Sequence, residues 1–294
     1  MRRPIIVAFL GFVLLACQAL AAERGALFKV SGAKHTLYLY GTIHAGKPDY
    51  YPLEPRLGKA VAAAPTLALE VDVQRDPGAT AAAFQQYGLF AAGSTDYARL
   101  PAARRQRIEA GLKQQGVDPG ALAQLKPWVL ATMLAVVDLA KLGVDPALGV
   151  DLHLAGLARG KARIAELESV QYQAALLDRL PLAMQWDVLE ETLAHMASGQ
   201  QFRETRELFA AYDSADRTAL DTIAHRIETD DSVSGKFIRE MVLIERNGPM
   251  ADKLAALLAR EDNAVAAVGL LHLLGKHGIP ELLRQRGLQV ERVY

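Results

Sequence analysis

Two kinds of hydrophobic pattern divide the chain. At both ends, short unbroken apolar runs stop at glycine or other breakers. Between them, apolar positions recur at helical spacing. Near the N-terminus, Ala26-Leu27-Phe28-Lys29-Val30 and the run His35 to Tyr40 flank the turn Gly32-Ala33-Lys34 and predict a β-hairpin. The second run leads straight into Gly41-Thr42-Ile43-His44, and near the far end Ala264 to Val268 leads into Gly269-Leu270-Leu271-His272. Each copy is followed by a glycine-bearing loop, a helix and a further strand: Glu54 to Ala63 then Thr66 to Val73 in the first, the helix opened by Gly278-Ile279-Pro280 then Leu288 to Val293 in the second.

From Asp76 to about Asp262 the period is helical, with starts at Leu100-Pro101, Asp118-Pro119 and Lys126-Pro127, where proline suits the first helical turn. Gly160 to Leu167 interrupts this as a brief strand, and Asn247-Gly248-Pro249 predicts a break between a helix over Lys236 to Arg246 and another over Met250 to Arg260. The expected fold class is therefore α/β with an α+β-like layout: a central sheet assembled from about residues 25–75 and 262–294 as two strand–Gly-x-x-His–helix–strand half-units, and a large helical insertion over about residues 76–261. Residues 23–294 form a single domain in this reading.

Composition changes the picture at the N-terminus. Arg2 and Arg3, the apolar stretch Ile5 to Ala16 and the small residues Ala19-Leu20-Ala21-Ala22 form the three parts of a signal peptide over residues 1–22. The apolar stretch is short for a membrane span, so a periplasmic or secreted protein is expected. Cys17 is the single cysteine of the 294 residues. Leu14-Leu15-Ala16-Cys17 partly resembles a lipobox, and a lipid anchor through Cys17 is the alternative to ordinary cleavage. After cleavage at the alanines no thiolate remains for catalysis or zinc. Lys plus Arg and Asp plus Glu both number 33, and this balance gives no footprint for nucleic acid. The chain also lacks a Gly-x-Ser-x-Gly elbow, a phosphate-binding loop, His-Glu-x-x-His and a dinucleotide fingerprint.

The chemistry therefore falls to His44, His272 and Glu70, the acid near the end of the strand after the first motif. Side chains at the carboxyl ends of strands face the crevice where open α/β sheets bind ligands. Two imidazoles and a carboxylate meeting there suit a divalent metal with open positions. A carboxylate not used as a ligand could serve as general base. Spacing alone leaves a second reading open, in which both histidines are hydrogen-bonded structural residues. Arg246 is a candidate for binding a substrate carboxylate or an oxyanion, or for simply closing a helix dipole. His277 reads as solvated, Glu168 as a strand-end acid, and His35, His153, His195 and His225 as structural or surface residues.

Gly41-Thr42-Ile43-His44, Leu69-Glu70-Val71-Asp72 and Gly269-Leu270-Leu271-His272 together resemble the TraB/PrgY/GumN family, relatives of the Tiki metalloproteases. Lys126-Pro127-Trp128, Gly149-Val150-Asp151, Leu167-Glu168-Ser169 with Gln173, and Glu245-Arg246-Asn247 with Met250-Ala251 are similar to the middle of that family. The resemblance implies a metal-dependent hydrolase cleaving peptides or proteins, with manganese, cobalt or zinc held by His44, His272 and Glu70, and with Glu70 and Arg246 as catalytic groups. The alternative, ranked second, is a non-catalytic periplasmic binding protein for a peptide, metal or haem-like ligand. The chain departs from the family at Leu273-Leu274, where small residues and proline are common, and this puts the shape of the second loop in question.

Overall fold

The computed structural model describes residues 22–94 and 96–294. The leader and Cys17, with the export and lipid-anchor readings that rest on them, lie outside the described residues. Six strands form one mixed sheet: β1 Leu27–Ser31, β2 Thr36–Thr42, β3 Thr66–Leu69, β4 Arg163–Glu166, β5 Ala264–Gly269 and β6 Gln289–Arg292, in the order β4-β3-β5-β2-β1-β6. The hairpin of β1 and β2 is present, and β6 extends it antiparallel along β1. Strands β2, β5, β3 and β4 run parallel. Strand β5 lies between β2 and β3, so the two half-units interleave and do not sit side by side. The inner strands β3 and β5 are buried on both faces and read as continuous apolar runs, whereas edge strand β6 alternates.

The sheet differs from expectation in two respects. It is not built from the chain ends alone, because β4 comes from within the helical middle and pairs with β3. Strand β3 is also shorter than its apolar run. The Glu70 N–H still donates to the Ala267 carbonyl at 3.3 Å, and the chain then turns away, with the Asp72 N–H donating to the Glu166 carboxylate at 3.0 Å.

The helices are α1 Pro55–Ala63, α2 Pro77–Ala83, α3 Ala102–Gln114, α4 Pro127–Ala135, α5 Val150–Ala158, α6 Val170–Asp178, α7 Leu182–Ala197, α8 Gln200–Asp213, α9 Arg217–Thr229, α10 Val233–Lys236, α11 Glu245–Leu258 and α12 Ile279–Gln285. The break expected at Asn247-Gly248-Pro249 does not form. Helices α10 and α11 are one continuous rod joined by π-wound turns over Phe237–Ile244, with Pro249 inside α11. Met250, Ala251, Leu254, Leu257 and Leu258 bury one side of α11 in the core around the sheet, and this packing outweighs the local breaker signal. A second apolar core joins α3, α4 and α7 through Ile108, Leu112, Leu130, Leu134, Trp186 and Leu189. Among the described residues no helix is long and apolar enough to cross a membrane.

Candidate functional site

The parallel register sets Gly41 beside Val268 and Thr42 beside Gly269, so the two Gly-x-x-His motifs leave the sheet at neighbouring strand ends. The two glycines do different work there. A methyl group on Gly41 would stand 2.7 Å from Leu270 Cδ1 and 3.2 Å from the Leu270 Cα, so the first glycine makes room for the loop of the second motif. Leu273, where the chain departs from the family pattern, is buried in the sheet core and turns the loop inward. A methyl group on Gly269 would instead stand 3.4 Å from His272 Cδ2, 3.5 Å from Glu70 Oε2 and 3.6 Å from His44 Nε2. Side chains from both motifs and from the end of β3 thus surround one point over Gly269.

The hydrogen bonds fix which ring nitrogens face that point. Asn247 donates from Nδ2 to the His277 carbonyl at 2.8 Å, so its Oδ1, 2.6 Å from His272 Nδ1, must accept. His272 Nδ1 therefore carries the proton and Nε2 keeps its lone pair. His44 Nδ1 lies 3.3 Å from Asp151 Oδ2, which orients the first ring in the same sense. Asp151 stands in the first turn of α5, and the Val150 N–H donates to the Ile43 carbonyl at 3.0 Å, docking that helix start on the first motif. His44 is 67% exposed and His272 only 6%, so one ring meets solvent and the other is enclosed.

Glu70 is held on both oxygens. Oε2 accepts the Gly269 N–H at 3.1 Å and lies 3.7 Å from His272 Nε2; Oε1 accepts from Gln173 Nε2 at 3.0 Å and from Arg246 Nη2. The same guanidinium donates to Glu168 from Nε at 3.0 Å and from Nη2 at 2.6 Å, and its Nη1 reaches the Val242 carbonyl at 3.3 Å. Arg246 thus sits in a buried clamp between two acids, neither at a helix end nor open to a substrate carboxylate. Glu168, read from sequence as a strand-end acid, is the second jaw. Burial would raise the Glu70 carboxyl, but the adjoining His272, Arg246 and His44 and the Gly269 N–H hold it down at about 2. Burial pushes His272 down to about 4, against the pull of Glu70, so the ring is neutral at pH 7 and Arg246 is the standing positive charge. The hydrogen bond to Asp151 raises His44.

His277 is exposed and serves through its backbone carbonyl. His35 Nδ1 bonds the Leu258 carbonyl at 2.9 Å, His153 stacks on Tyr51, and His225 is exposed. The roles of Asp151, Asn247 and Gln173 were not read from single positions. Their motifs were visible, but each partner lies on another element.

The TraB/PrgY/gumN family model matches residues 26–292, nearly the whole described chain. The chain belongs to the TraB/PrgY/gumN family. Among curated relatives it is similar to "Uncharacterized protein YbaP" of Shigella flexneri and of Escherichia coli (strain K12). Each is 27% identical over 270 residues, covering 86% of this chain and 89% of the relative. No solved structure matches the chain. In this TraB-family chain the paired motifs, the strand-end glutamate and the Glu245-Arg246-Asn247 segment occupy one crevice at the carboxyl edge of β3, β5 and β2. That edge opens beside a cavity of about 570 Å³ whose walls include His44 and Arg246.

Proposed function

We propose that this protein is an exported metal-dependent hydrolase, acting on peptide or protein substrates, with His44, His272 and Glu70 as the metal-holding side chains. The observation that carries the reading is the convergence over Gly269, with each ring's Nδ1 tied to an acceptor and each Nε2 left free. An imidazole whose second nitrogen donates to a carboxylate or amide is oriented as a metal ligand requires. Among the described residues no group of three such side chains stands at ready-made coordination distances, so the exposed His44 closes the site when an ion enters. The donor set of two imidazoles, each presenting Nε2, and one ionised carboxylate fits manganese, cobalt or zinc.

A divalent ion in that position would polarise a substrate carbonyl and ease deprotonation of water. The chain's own contribution is orientation. Asn247 and Asp151 hold the rings, and Arg246 with Gln173 keeps Glu70 ionised and turned so that Oε2 faces the crevice. A carboxyl held at about 2 is a poor proton acceptor at pH 7, so Glu70 works as ligand and anchor rather than as general base. Arg246 acts through Glu70. Export rests on the leader pattern of residues 1–22 and gives the protein a periplasmic or secreted setting.

The test is cleavage of a mixed peptide library by the leader-free protein with manganese, cobalt or zinc, read by mass spectrometry beside His272→Ala and a chelated sample. Metal-dependent cleavage lost in both controls is the expected result. A second reading, a binding protein without turnover, is favoured by the apolar lining of the neighbouring cavity. Ligand retention with no cleavage under any metal would establish it instead.

A further inference from the structure

The cavity beside His44 is a cleft within the helical middle that reaches the paired-motif site through His44, Gln173 and Arg246. Helix α4 lines it with Trp128, Ala131, Thr132 and Ala135, positions on one helical face. Leu176 and Leu177 of α6, Val188 of α7 and the π-wound residues Phe237, Ile238 and Val242 complete the apolar walls. π-wound turns recur at functional sites, and here they lead directly to Arg246.

Three features indicate a ligand. Helix α4, Pro-Trp-Val-Leu-Ala-Thr-Met-Leu-Ala, is apolar almost all round, yet on its cleft face Ala131 is only half-buried and Thr132 and Ala135 are exposed, so beyond Trp128 that face carries no large side chain. A helix of that composition is expected to be covered. Next, Gln185 lines the cleft at 2% exposure; its Nε2 donates to the Leu180 carbonyl at 2.8 Å, while its buried Oε1 has no partner. A buried acceptor calls for a donor. Lastly, Arg246 is the one Lys or Arg side chain in the walls among the described residues and is already neutralised by Glu70 and Glu168, while Glu204 adds a carboxylate that accepts from Gln200, so no unpaired Lys or Arg faces the cleft to receive an acidic side chain.

We infer that this cleft is the specificity site of the proposed hydrolase, binding an uncharged peptide segment with bulky apolar side chains and taking a backbone N–H on Gln185 Oε1. At about 570 Å³ it lies within the roughly 300–1,000 Å³ range of sites that enclose ligands. Thr132, Gln173, Thr192 and Ser234 also line the walls; each already donates within the chain, to the Trp128 carbonyl, to Glu70 and Glu168, to the Val188 carbonyl and to Glu191, and their oxygens remain as acceptors for peptide N–H groups, which an acyl chain does not offer. The inference rests on the hydrolase reading for the position of the scissile bond, but binding can be measured without turnover.

The experiment is calorimetric titration of the leader-free protein with a short blocked peptide of leucine and phenylalanine, and with a counterpart carrying glutamates in place of the leucines. Ala135→Trp, at an exposed position of the α4 face, fills the cleft from its mouth; Gln185→Leu removes the acceptor at similar volume. The expected result is binding of the apolar peptide only, weakened about tenfold or more by Ala135→Trp and up to about tenfold by Gln185→Leu, with thermal unfolding of Ala135→Trp unchanged. Equal binding of both peptides, or indifference to Ala135→Trp, overturns the inference. Uptake of phospholipid vesicles with neither peptide bound overturns it in favour of a lipid site. Selective binding without cleavage leaves the cleft standing and removes the hydrolase reading; cleavage blind to side chains does the reverse.

Discussion

At the scale of single residues, the two motif glycines separate fold from site. Gly41→Ala drives a methyl into the Leu270 loop and should cost about 1–3 kcal/mol, read by urea unfolding. Gly269→Ala places its methyl at ordinary contact distance, so stability should change by less than about 1 kcal/mol while metal retention falls. Arg246→Met leaves Glu70 and Glu168 buried without their cation and should destabilise by about 3–5 kcal/mol, with part recovered when Glu70→Gln is added. Acid sensitivity follows from the same groups. His272 is held by burial at about 4, below its ordinary 6.5, so its contribution is complete above 6.5 and is lost as pH falls toward 4. Glu70, held at about 2, contributes fully above 4.5 and loses that contribution as pH falls through 2. Urea midpoints across this range should slope downward toward acid, and His272→Gln should flatten the limb between 6.5 and 4. His44, Glu70 and His272 were legible in the sequence because a glycine or a strand end marks each. Asp151 and Asn247 were not, since a hydrogen-bond partner on a distant element leaves no periodic signal.

At the scale of elements, the strands were legible because their apolar runs are unbroken and bounded by turns. Pairing was less so: β4 reads as a short strand, but nothing in Arg163 to Glu166 says that it docks on β3. The rod from Val233 to Leu258 shows the converse, a strong local signal overridden by burial. Asn247 is 1% exposed and Arg246 7%, and as consecutive positions of one uninterrupted helix they diverge by about 100°, one toward His272 and the other toward Glu70. Pro249 is exposed on that rod and withholds one backbone donor. Pro249→Ala should therefore stabilise the protein by about 1 kcal/mol or more, raising its unfolding temperature without disturbing the site. Loss of stability or of metal retention in that variant would mean that the proline shapes the helix for the site.

At the scale of the whole molecule, the chain ends meet in the sheet centre and the middle folds over them. Strand β5 enters between β2 and β3, and this interleaving is what brings two motifs more than two hundred residues apart to one edge. The matching contexts of the two motifs pointed to one sheet, while the order of its strands required the structure. The helical middle then supplies Arg246 and Asn247 from α11 and Asp151 from α5, so that His272 and the Glu70 carboxylate are positioned before any ligand arrives and His44 is held within reach. The most direct test is metal content of the leader-free protein after exposure to manganese, cobalt and zinc, measured by elemental analysis beside His44→Ala and His272→Ala. One ion per chain, lost in both variants while circular dichroism stays unchanged, is the predicted result. No ion retained under any condition, with variants that lose only stability, would show that the paired histidines are architecture and would contradict the metal centre.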